Sequence, residues 1–412
     1  MRILYHIFIH IFRLILLLAS LFNDKARKWV KGRKQIFEQL KNAISADDKI
    51  IWVHSASLGE FEQGKPIIEG LKQQHPGHKI LLTFFSPSGY EVRKNYEFAD
   101  SVFYLPIDTL SNAHIFVEIV KPQMAIFVKY EFWFNYISVL EKHHIPIIFI
   151  SSIFRSNQYF FRFYAEWFRK QLVKVSHYFV QNSESKHLLN KIGVEQVTVC
   201  GDTRFDSVFK LAQNAKKFEI VEKFKGDNPL IIAGSTWPPD EDMLISLIEK
   251  FQNHKFIIVP HEVREVSIKQ TQNRIGDKSV LFSSAQPKTV NNFQVLIVDS
   301  IGKLAHLYQY ANLAYIGGGF GSGLHNIQEP ITFGIPVVFG PKFQNFQEAV
   351  DLVRLKGAFT VKNKEELEKI FSSLLMNKEV YKNACQTNKA YLNKNIGASG
   401  IILKYLQQLI ED

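Results

Sequence analysis

The chain has 412 residues, of which 46% are hydrophobic and 22% charged, so it is too long for one ordinary domain and too apolar for a disordered protein. Its 50 Lys and Arg residues exceed its 39 Asp and Glu residues, and the net charge of +11 suits an anionic partner: nucleic acid, acidic lipid or a phosphorylated substrate. The two cysteines, Cys200 and Cys385, exclude a disulfide framework and a cysteine-rich zinc module.

The first predicted element is an apolar helix over residues 3–22, which is long enough to cross a bilayer core. Its polar exceptions share one helical face: His6, His10, Arg13 and Ser20. Because an arginine at mid-span opposes a straight crossing, the pattern favours a helix that lies in the interface with its polar stripe toward the headgroups. A spanning helix and a buried core helix of a soluble domain are the alternatives.

A basic cluster follows this helix, and only Asp24 opposes it. Its members are Lys25, Arg27, Lys28, Lys31, Arg33 and Lys34. Such a cluster behind an apolar segment favours anionic headgroups and the cytoplasmic side of a membrane, whereas a secretory signal carries its charge in front. We therefore predict a membrane anchor helix over residues 1–24, on the cytoplasmic face of the inner membrane.

From residue 49 the chain alternates short apolar runs with polar stretches of helical length. In the first half the runs are 50–54, 79–85, 102–105, 124–128, 145–150, 178–180 and 197–199. In the second half they are 230–233, 256–259, 280–282, 295–298, 313–316, 336–339 and 359–361. Continuous apolar strands between helices predict parallel sheets that are covered on both faces.

The predicted fold is therefore α/β, with two doubly wound, Rossmann-like domains over residues 25–206 and 229–395. The Lys-rich stretch 207–228 has no strand run and is interpreted as the inter-domain linker. Residues 396–412 form a C-terminal helix that can pack back on the first domain. Ligands of doubly wound sheets bind at the carboxyl ends of the strands, which predicts a site in the cleft between the domains.

Two segments that follow strands of the first half carry carboxylates. In the segment 54–60, Glu60 can accept a proton from a bound hydroxyl, or it can complete a capping box with Ser57. In the segment 127–133, Lys129 and Glu131 leave a strand end near the same edge, where an ordinary ion pair is the alternative.

Two segments of the second half suit a phosphorylated ligand. The turn Gly234, Ser235, Thr236 exposes backbone N–H groups after a strand, although a well-capped helix explains it equally. Residues 317–323 hold five glycines that permit close backbone approach to a ligand, and Glu329 beyond them can bind a ribose diol.

Three other basic residues could approach a bound anion: His261, Arg264 and Lys342. They are weaker candidates, because isolated basic residues more often lie on a solvated surface. No zinc-ligand spacing and no nucleophile-elbow motif is present in the sequence.

In this order the motifs resemble the 3-deoxy-D-manno-octulosonic acid (Kdo) transferases, membrane-associated glycosyltransferases of the GT-B fold. Residues 57–60 match the family's Ser-x-Gly-Glu motif, and residues 129–135 align with its Glu-Thr-Glu-Leu-Trp-Pro-Asn segment. Residues 234–236 match its Gly-Ser-Thr turn, and residues 325–330 with Asn345 match its nucleotide-site signature. Further matching segments are 86–89, 104–108, 155–156, 201–206, 260–261, 299–304 and 346.

The resemblance implies inverting transfer of Kdo from CMP-Kdo to a lipid A precursor (lipid IVA) in lipopolysaccharide biosynthesis, with neither cofactor nor metal. It implies that Glu60 is the catalytic base and that Glu131 assists it. The implied donor-binding residues are Gly234, Ser235, Thr236, His261, Gly318, Gly319, His325, Asn326, Glu329 and Asn345. The implied acceptor-side or auxiliary residues are Ser57, Gly59, Lys129 and Arg155.

Three departures from the family pattern stand out. Lys129 replaces the first Glu of the family's pair, the Arg of its Pro-Arg-His segment is missing before His261, and Trp237 stands where the family usually has His. The implied partners are CMP-Kdo, an anionic lipid and the membrane surface, and no nucleic acid. The alternatives are a GT-B-type sugar-nucleotide epimerase and a non-enzymatic, membrane-bound nucleotide-binding protein.

Overall fold

The computed structural model describes residues 1–321 and 323–411, which form two compact units. The first unit is Met1–Ser207 together with the C-terminal segment that begins at Ile396, and the second is Val208–Asn395. Each unit contains a seven-stranded sheet in which every strand pair is parallel. The predicted architecture of two doubly wound α/β domains is confirmed.

The first sheet has the strand order β3-β2-β1-β4-β5-β6-β7. Its strands are β1 (Ile50–Ser55), β2 (Lys79–Phe84), β3 (Ser101–Tyr104), β4 (Met124–Val128), β5 (Ile147–Ser152), β6 (His177–Val180) and β7 (Val197–Val199). The helices of this unit are α1 (Arg2–Ala19), α2 (Asp24–Lys31), α3 (Ile36–Ala43), α4 (Leu58–Gln74), α5 (Pro87–Arg93), α6 (Leu110–Val120), α7 (Phe134–Lys142), α8 (Glu166–Leu172) and α9 (Ser183–Asn190). Helix α10 (Arg204–Gln213) begins in this unit and ends in the second. Strands β1, β4 and β5 are buried along their whole length, because helices cover both faces of the sheet.

The second sheet has the strand order β10-β11-β9-β8-β12-β13-β14. Its strands are β8 (Leu230–Thr236), β9 (Lys255–Pro260), β10 (Ser279–Leu281), β11 (Val295–Ile297), β12 (Leu313–Ile316), β13 (Val337–Phe339) and β14 (Ala358–Thr360). The remaining helices are α11 (Glu219–Lys225), α12 (Pro238–Lys250), α13 (Glu265–Ile275), α14 (Leu304–Leu307), α15 (Gln328–Thr332), α16 (Gln347–Leu355), α17 (Lys364–Met376), α18 (Lys378–Asn395) and α19 (Ala398–Glu411).

Each sheet has one point where the strand order reverses. In the first sheet it lies between β1 and β4, and in the second between β8 and β12. Loops that leave the carboxyl ends of such strand pairs diverge and leave a crevice, where doubly wound folds bind ligands. The segments that begin at residues 55, 129, 234 and 317 all leave these strand ends, so the candidate residues are gathered at the two reversal points.

Helix α1 packs along the first unit through one of its faces. Ile9 is buried against Trp29 and Ile107, and the Tyr5 hydroxyl donates a hydrogen bond to the buried carboxylate of Asp108. The opposite face is exposed and apolar; its residues are Ile3, Leu4, Ile7, Phe8, Ile11, Leu14, Ile15 and Leu18. Within the described residues, α1 is the one helix whose length and composition would allow it to cross a membrane.

One member of the basic cluster after α1 points inward. The guanidinium of Arg33 donates to the backbone carbonyls of Leu105 and Phe85, each at 2.8 Å, and lies 3.8 Å from the centre of the Trp29 ring. Burial lowers the pKa of Arg33 to about 9. Arg33 therefore belongs to the interior of the first unit, and the exposed cations of the cluster are the remaining five.

The two segments outside the predicted domains are both structured. Within residues 207–228, α11 buries Val221 and Phe224 in the second unit. Helix α19 packs on α4 of the first unit, where Leu403 lies against Gly70.

Candidate active site

Glu60 lies in the first turn of α4, just beyond the end of β1. The backbone N–H of Ser57 donates to Glu60 Oε2 at 3.0 Å, and the Ser57 hydroxyl donates to the same oxygen at 3.3 Å. The two interpretations of this segment, a helix cap and a reactive carboxylate, thus apply to one side chain that the cap orients. At Gly59, the nearest surrounding atom lies 4.0 Å from the place where a side chain would begin, so this side of the turn is open.

Glu131 lies in the loop that follows β4, which begins in an unusual backbone conformation. Lys129 has a φ of 71°, and the Ser152 hydroxyl donates to its carbonyl oxygen at 2.6 Å. A residue other than glycine in this left-handed region carries strain that the surrounding contacts must hold. The loop therefore presents Glu131 in an enforced geometry.

The side chains of Glu60 and Glu131 form a hydrogen-bonded pair of carboxyl groups. Burial raises the pKa of Glu131 well above its usual range, and the neighbouring Glu60 raises it further. Burial also raises the pKa of Glu60, while the ammonium of Lys129 acts in the opposite direction on both. Two carboxyl groups this close bind a shared proton, since both do not readily ionise side by side. The pair can therefore offer one ionised carboxylate as a general base.

His54, the penultimate residue of β1, positions the loop that carries Glu131. The indole N–H of Trp133 donates to His54 Nε2 at 3.0 Å, and His54 Nδ1 lies 2.9 Å from the Thr83 hydroxyl. Burial lowers the pKa of His54 to about 3, so the imidazole is neutral and carries its proton on Nδ1. Its approach to Glu131 at 4.0 Å is consequently not an ion pair.

A cavity of about 280 Å³ opens beside Glu131. Its lining consists of Tyr130, Glu131, Phe132, Trp133, Gln158, Tyr159 and Phe160. Mostly aromatic walls with one carboxylate are typical of a pocket for a small organic group. Arg155 is exposed near this cavity, and its backbone N–H donates to the Gln158 side chain at 3.0 Å.

At the reversal point of the second sheet, Asp240 joins two of the predicted segments. Its carboxylate accepts hydrogen bonds from the backbone N–H groups of Trp237 and Gly318, both at 2.9 Å, and from the Tyr315 hydroxyl at 2.8 Å. The Gly317 N–H also donates to the Gly234 carbonyl at 2.9 Å. Residues 234–236, predicted as a turn after the strand, instead complete β8, because pairing with β9 continues to Thr236 past a register shift at Ser235, whose φ is 55°. The end of β8 and the glycine-rich loop thus form one structure.

The glycines of this loop are required by the packing of the backbone. A Cβ atom on Gly317 would lie 2.2 Å from the Ser235 carbonyl oxygen, and one on Gly319 would lie 2.7 Å from the Gly340 backbone. Gly318 has a φ of 90°, which a residue with a side chain rarely adopts. The loop is therefore held tightly against residues 235 and 340, which is a structural requirement in addition to the predicted approach of a ligand.

Three rings form a stack beside the loop. His261 lies between Trp237 and His325, with ring centres 4.7 and 4.3 Å away, and the Trp237 indole N–H donates to His325 Nε2 at 3.0 Å. Burial lowers the pKa of His325 to about 4, and His261 adds to this effect. Trp237 thus takes a hydrogen-bonding position within the cluster, although it departs from the resembled pattern.

The remaining predicted donor residues lie around the same loop. Asn326 is exposed and donates to Glu329 Oε1 at 3.2 Å, and the charge of Glu329 acts on the buried Tyr308. The Tyr308 hydroxyl lies against Gly234 and has no hydrogen-bond partner within residues 1–321 and 323–411. Asn345 is exposed in the loop after β13.

Lys342 lies close to the glycine-rich loop, whereas Arg264 is tied to a neighbouring carboxylate. The Lys342 ammonium donates to the Gly321 carbonyl at 2.9 Å, while Arg264 pairs with Glu262 at 3.2 Å. Of these two cations, Lys342 is therefore the one that contacts the loop.

Sequence reasoning did not single out His54, Asp240 or Tyr308 as site residues. His54 ends a continuous apolar run, and Asp240 follows Trp237 by three residues, the spacing of a helix cap. Both features are visible in the sequence and could have marked His54 and Asp240 as candidates. The isolated hydroxyl of Tyr308 becomes visible only in three dimensions.

Comparison with known proteins identifies the family. Residues 29–207 match a family model described as "3-Deoxy-D-manno-octulosonic-acid transferase (kdotransferase)". The chain is 30% identical to the 3-deoxy-D-manno-octulosonic acid transferase of Aquifex aeolicus over 83% of this chain and 90% of that protein. It is 26% identical to the transferase of the same name from Haemophilus influenzae, over 97% and 96% of the two chains.

Solved structures support the fold. The UDP-GlcNAc 2-epimerase of Neisseria meningitidis superposes with a TM-score of 0.62 at 19% identity, covering 87% of this chain and all of that one. MurG of Acinetobacter baumannii superposes with a TM-score of 0.57 at 13% identity, covering 87% and 99%. These similarities confirm the GT-B fold and, at such identity, nothing further. The sequence relatives establish that the chain belongs to the 3-deoxy-D-manno-octulosonic acid transferase family and is a glycosyltransferase.

Proposed function

We propose that the protein transfers Kdo from CMP-Kdo to a hydroxyl group of a lipid A precursor, lipid IVA, in lipopolysaccharide biosynthesis. The observation that carries this proposal is the pair formed by Glu60 and Glu131, because glycosyl transfer to a hydroxyl needs a base that takes its proton. Membership of the Kdo transferase family supports the identity of the sugar.

In the proposed reaction, the acceptor oxygen attacks the anomeric carbon of Kdo while the bond from that carbon to the phosphate oxygen of CMP breaks. The acceptor proton passes to the carboxylate of Glu60, and CMP leaves with the electron pair of the broken bond. Configuration at the anomeric carbon is inverted. Glu131 shares a proton with Glu60 and orients it, and Lys129 favours the ionised form of the pair.

We assign the donor to the second unit. The negative charge that develops on the phosphate needs fixed donors, and we assign this part to backbone N–H groups near Ser235 and in the glycine-rich loop. Within the loop, the N–H groups of Gly317, Gly318, Gly321 and Gly323 already donate to protein oxygens, so the assignment falls on the other loop residues. Glu329 is assigned to the ribose hydroxyls and Asn326 to the surroundings of the phosphate, and His261 and His325 complete the site. We expect neither cofactor nor metal, and no step of the scheme passes through either.

We assign the lipid acceptor to the first unit. A cavity of about 580 Å³ beside α1 is lined by apolar side chains and by cations that include Arg13 and Lys34, a combination that suits a phosphorylated lipid. The exposed apolar face of α1 and the cations after it would hold the enzyme on the cytoplasmic face of the inner membrane. Because three turns of α1 pack along the unit, we favour a helix that lies in the interface over one that crosses the bilayer.

Mass spectrometry of lipid IVA tests this function, after incubation with the enzyme, CTP, Kdo and the coupling synthetase. We expect a product heavier by one or by two Kdo residues, which also gives the number transferred. Glu60→Gln should abolish this product while CMP still raises the melting temperature of the variant. Turnover retained by Glu60→Gln would refute the assignment of the base. A product absent with the unaltered enzyme would refute the function itself.

A further inference from the structure

A second apolar surface lies beside the exposed face of α1, in the segment between β5 and α8. Phe163 is 90% exposed, Tyr164 is 51% exposed and Tyr159 is 42% exposed. Single exposed apolar residues are common on soluble proteins, but three large aromatic residues within six positions form a patch. We call residues 159–164 the aromatic loop.

The aromatic loop is held in shape by its own contacts. The Arg169 guanidinium donates to the carbonyl oxygens of Arg162, at 3.1 Å, and Phe163, at 3.4 Å. Phe160 is buried in the core of the first unit, and the rings of Phe163 and Tyr164 pack edge to face with centres 5.2 Å apart. The exposed rings are therefore presented outward by an anchored loop.

The charge around the loop indicates what covers it. Arg155 and Arg162 are exposed at its start and centre, and Lys170 is exposed in α8 directly after it. Tyrosine rings are enriched at membrane interfaces, where arginine and lysine side chains reach the anionic headgroups. This combination of apolar rings and cations is complementary to an anionic bilayer.

The segment that carries the loop also packs against α1. Trp167, in α8 just after the loop, packs against Tyr5 of α1 with ring centres 5.8 Å apart, and Tyr159 acts electrostatically on Tyr5. The outward residues Ile3 and Leu4 belong to this same end of α1. The two exposed apolar elements are therefore neighbours in the first unit.

We propose that the aromatic loop is a second membrane-contacting element, which inserts into the same anionic lipid surface as α1. Contact at two elements fixes the orientation of the first unit on the bilayer, whereas a single helix leaves it free to roll. Tyr159 of the loop also lines the cavity that contains Glu131. An acceptor can therefore pass from the lipid surface into that cavity along the loop. This last point rests on the proposed function, whereas the membrane contact does not.

The membrane contact is tested with an environment-sensitive fluorophore on single cysteines, after Cys200 and Cys385 are replaced by serine. The labelled positions are Phe163→Cys, Phe8→Cys as the positive control and Ile401→Cys as the negative control. Ile401 is a matched control because it is 46% exposed and lies on α19, which packs on the opposite face of the sheet. The probe is a vesicle of phosphatidylethanolamine and phosphatidylglycerol.

We expect the labels at 163 and 8 to shift to shorter emission wavelengths and to be quenched by lipids with spin-labelled acyl chains. The label at 401 should not change. A label at 163 that behaves like the one at 401, while the label at 8 responds, would overturn the proposal and would instead fit a protein partner for the loop. No response at either 163 or 8 would overturn both the loop contact and the anchor.

A second variant separates this proposal from the proposed function. Replacing both Phe163 and Tyr164 by serine should weaken binding to these vesicles about tenfold, while Ile401→Ser leaves it unchanged. The double variant should retain its activity on a detergent-dispersed acceptor. Loss of activity there with unchanged vesicle binding would show that the loop shapes the pocket and does not contact the membrane. Absence of Kdo transfer by the unaltered enzyme would leave the vesicle result standing.

Discussion

The carboxyl groups of Glu60 and Glu131 form a hydrogen bond although they follow different strands, β1 and β4, of the first sheet. We expect Glu131→Gln to lower kcat about 100-fold, because the remaining carboxyl loses the partner that orients it. Because Glu131 has the higher pKa and holds the shared proton, the uncharged Gln keeps the charge next to Glu60 the same, and the acidic limb of the pH–rate profile should stay in place. The pH profile of kcat/KM measures the position of this limb, and a limb that moves to lower pH would show that Glu131 carries the negative charge in the unaltered enzyme.

Lys129 should tune the same profile. Its positive charge lowers the pKa of both carboxyl groups, so Lys129→Met should raise both pKa values and move the acidic limb to higher pH. Lys129→Arg is the matched control, since it keeps the charge and meets the same left-handed backbone. Equal profiles for the two variants would contradict this electrostatic role.

Gly317→Ala should disturb the donor site of the second unit, because the new methyl group would meet the Ser235 carbonyl oxygen. We expect a loss of about 1–3 kcal/mol in the free energy of unfolding and weaker CMP binding. Gly321→Ala is the control, since the nearest surrounding atom would be 3.8 Å away. Chemical unfolding and the thermal shift with CMP measure both effects. Identical behaviour of the two variants would mean that the loop adapts to the methyl group without cost.

Tyr5→Phe should weaken the attachment of α1 to the first unit. The buried carboxylate of Asp108 would keep its hydrogen bonds from the backbone N–H groups of Asn135 and Tyr136 but lose the tyrosine donor. We expect a destabilisation of about 1–3 kcal/mol, measured by chemical unfolding in detergent. Phe8→Ala, on the exposed face of the same helix, should change stability by less than about 0.5 kcal/mol. A comparable loss in both variants would point to a general effect of helix substitution.

Much of the fold is predictable because its strands are unambiguous. Runs such as 124–128 are apolar throughout and bounded by polar segments, so both their existence and their parallel pairing follow from the sequence. Arg33 shows where such reasoning ends: it is one of six similar cations in sequence, and only the carbonyl groups of Leu105 and Phe85, some seventy and fifty residues away, distinguish it.

The residues of the site are likewise predictable from the sequence only in part. Glu60 and Glu131 are visible in the sequence as carboxylates after strands, but their direct pairing depends on the adjacency of β1 and β4. The polar stripe of α1 is visible too. The sequence does not reveal which face of α1 packs on the protein, because the residues that contact the protein, such as Ile9 and Phe12, are as apolar as those that face away.

The inward contacts of Tyr5 and Arg33 have a practical consequence for handling this enzyme. Removing the first 35 residues to obtain a soluble protein would strip a donor from Asp108 and expose the carbonyl groups that Arg33 occupies. Replacing outward-facing side chains such as Ile7, Phe8 and Ile11 by polar ones would remove the exposed apolar surface and leave those contacts intact. To obtain a soluble protein, substitution of the exposed residues of α1 is therefore preferable to truncation of the helix.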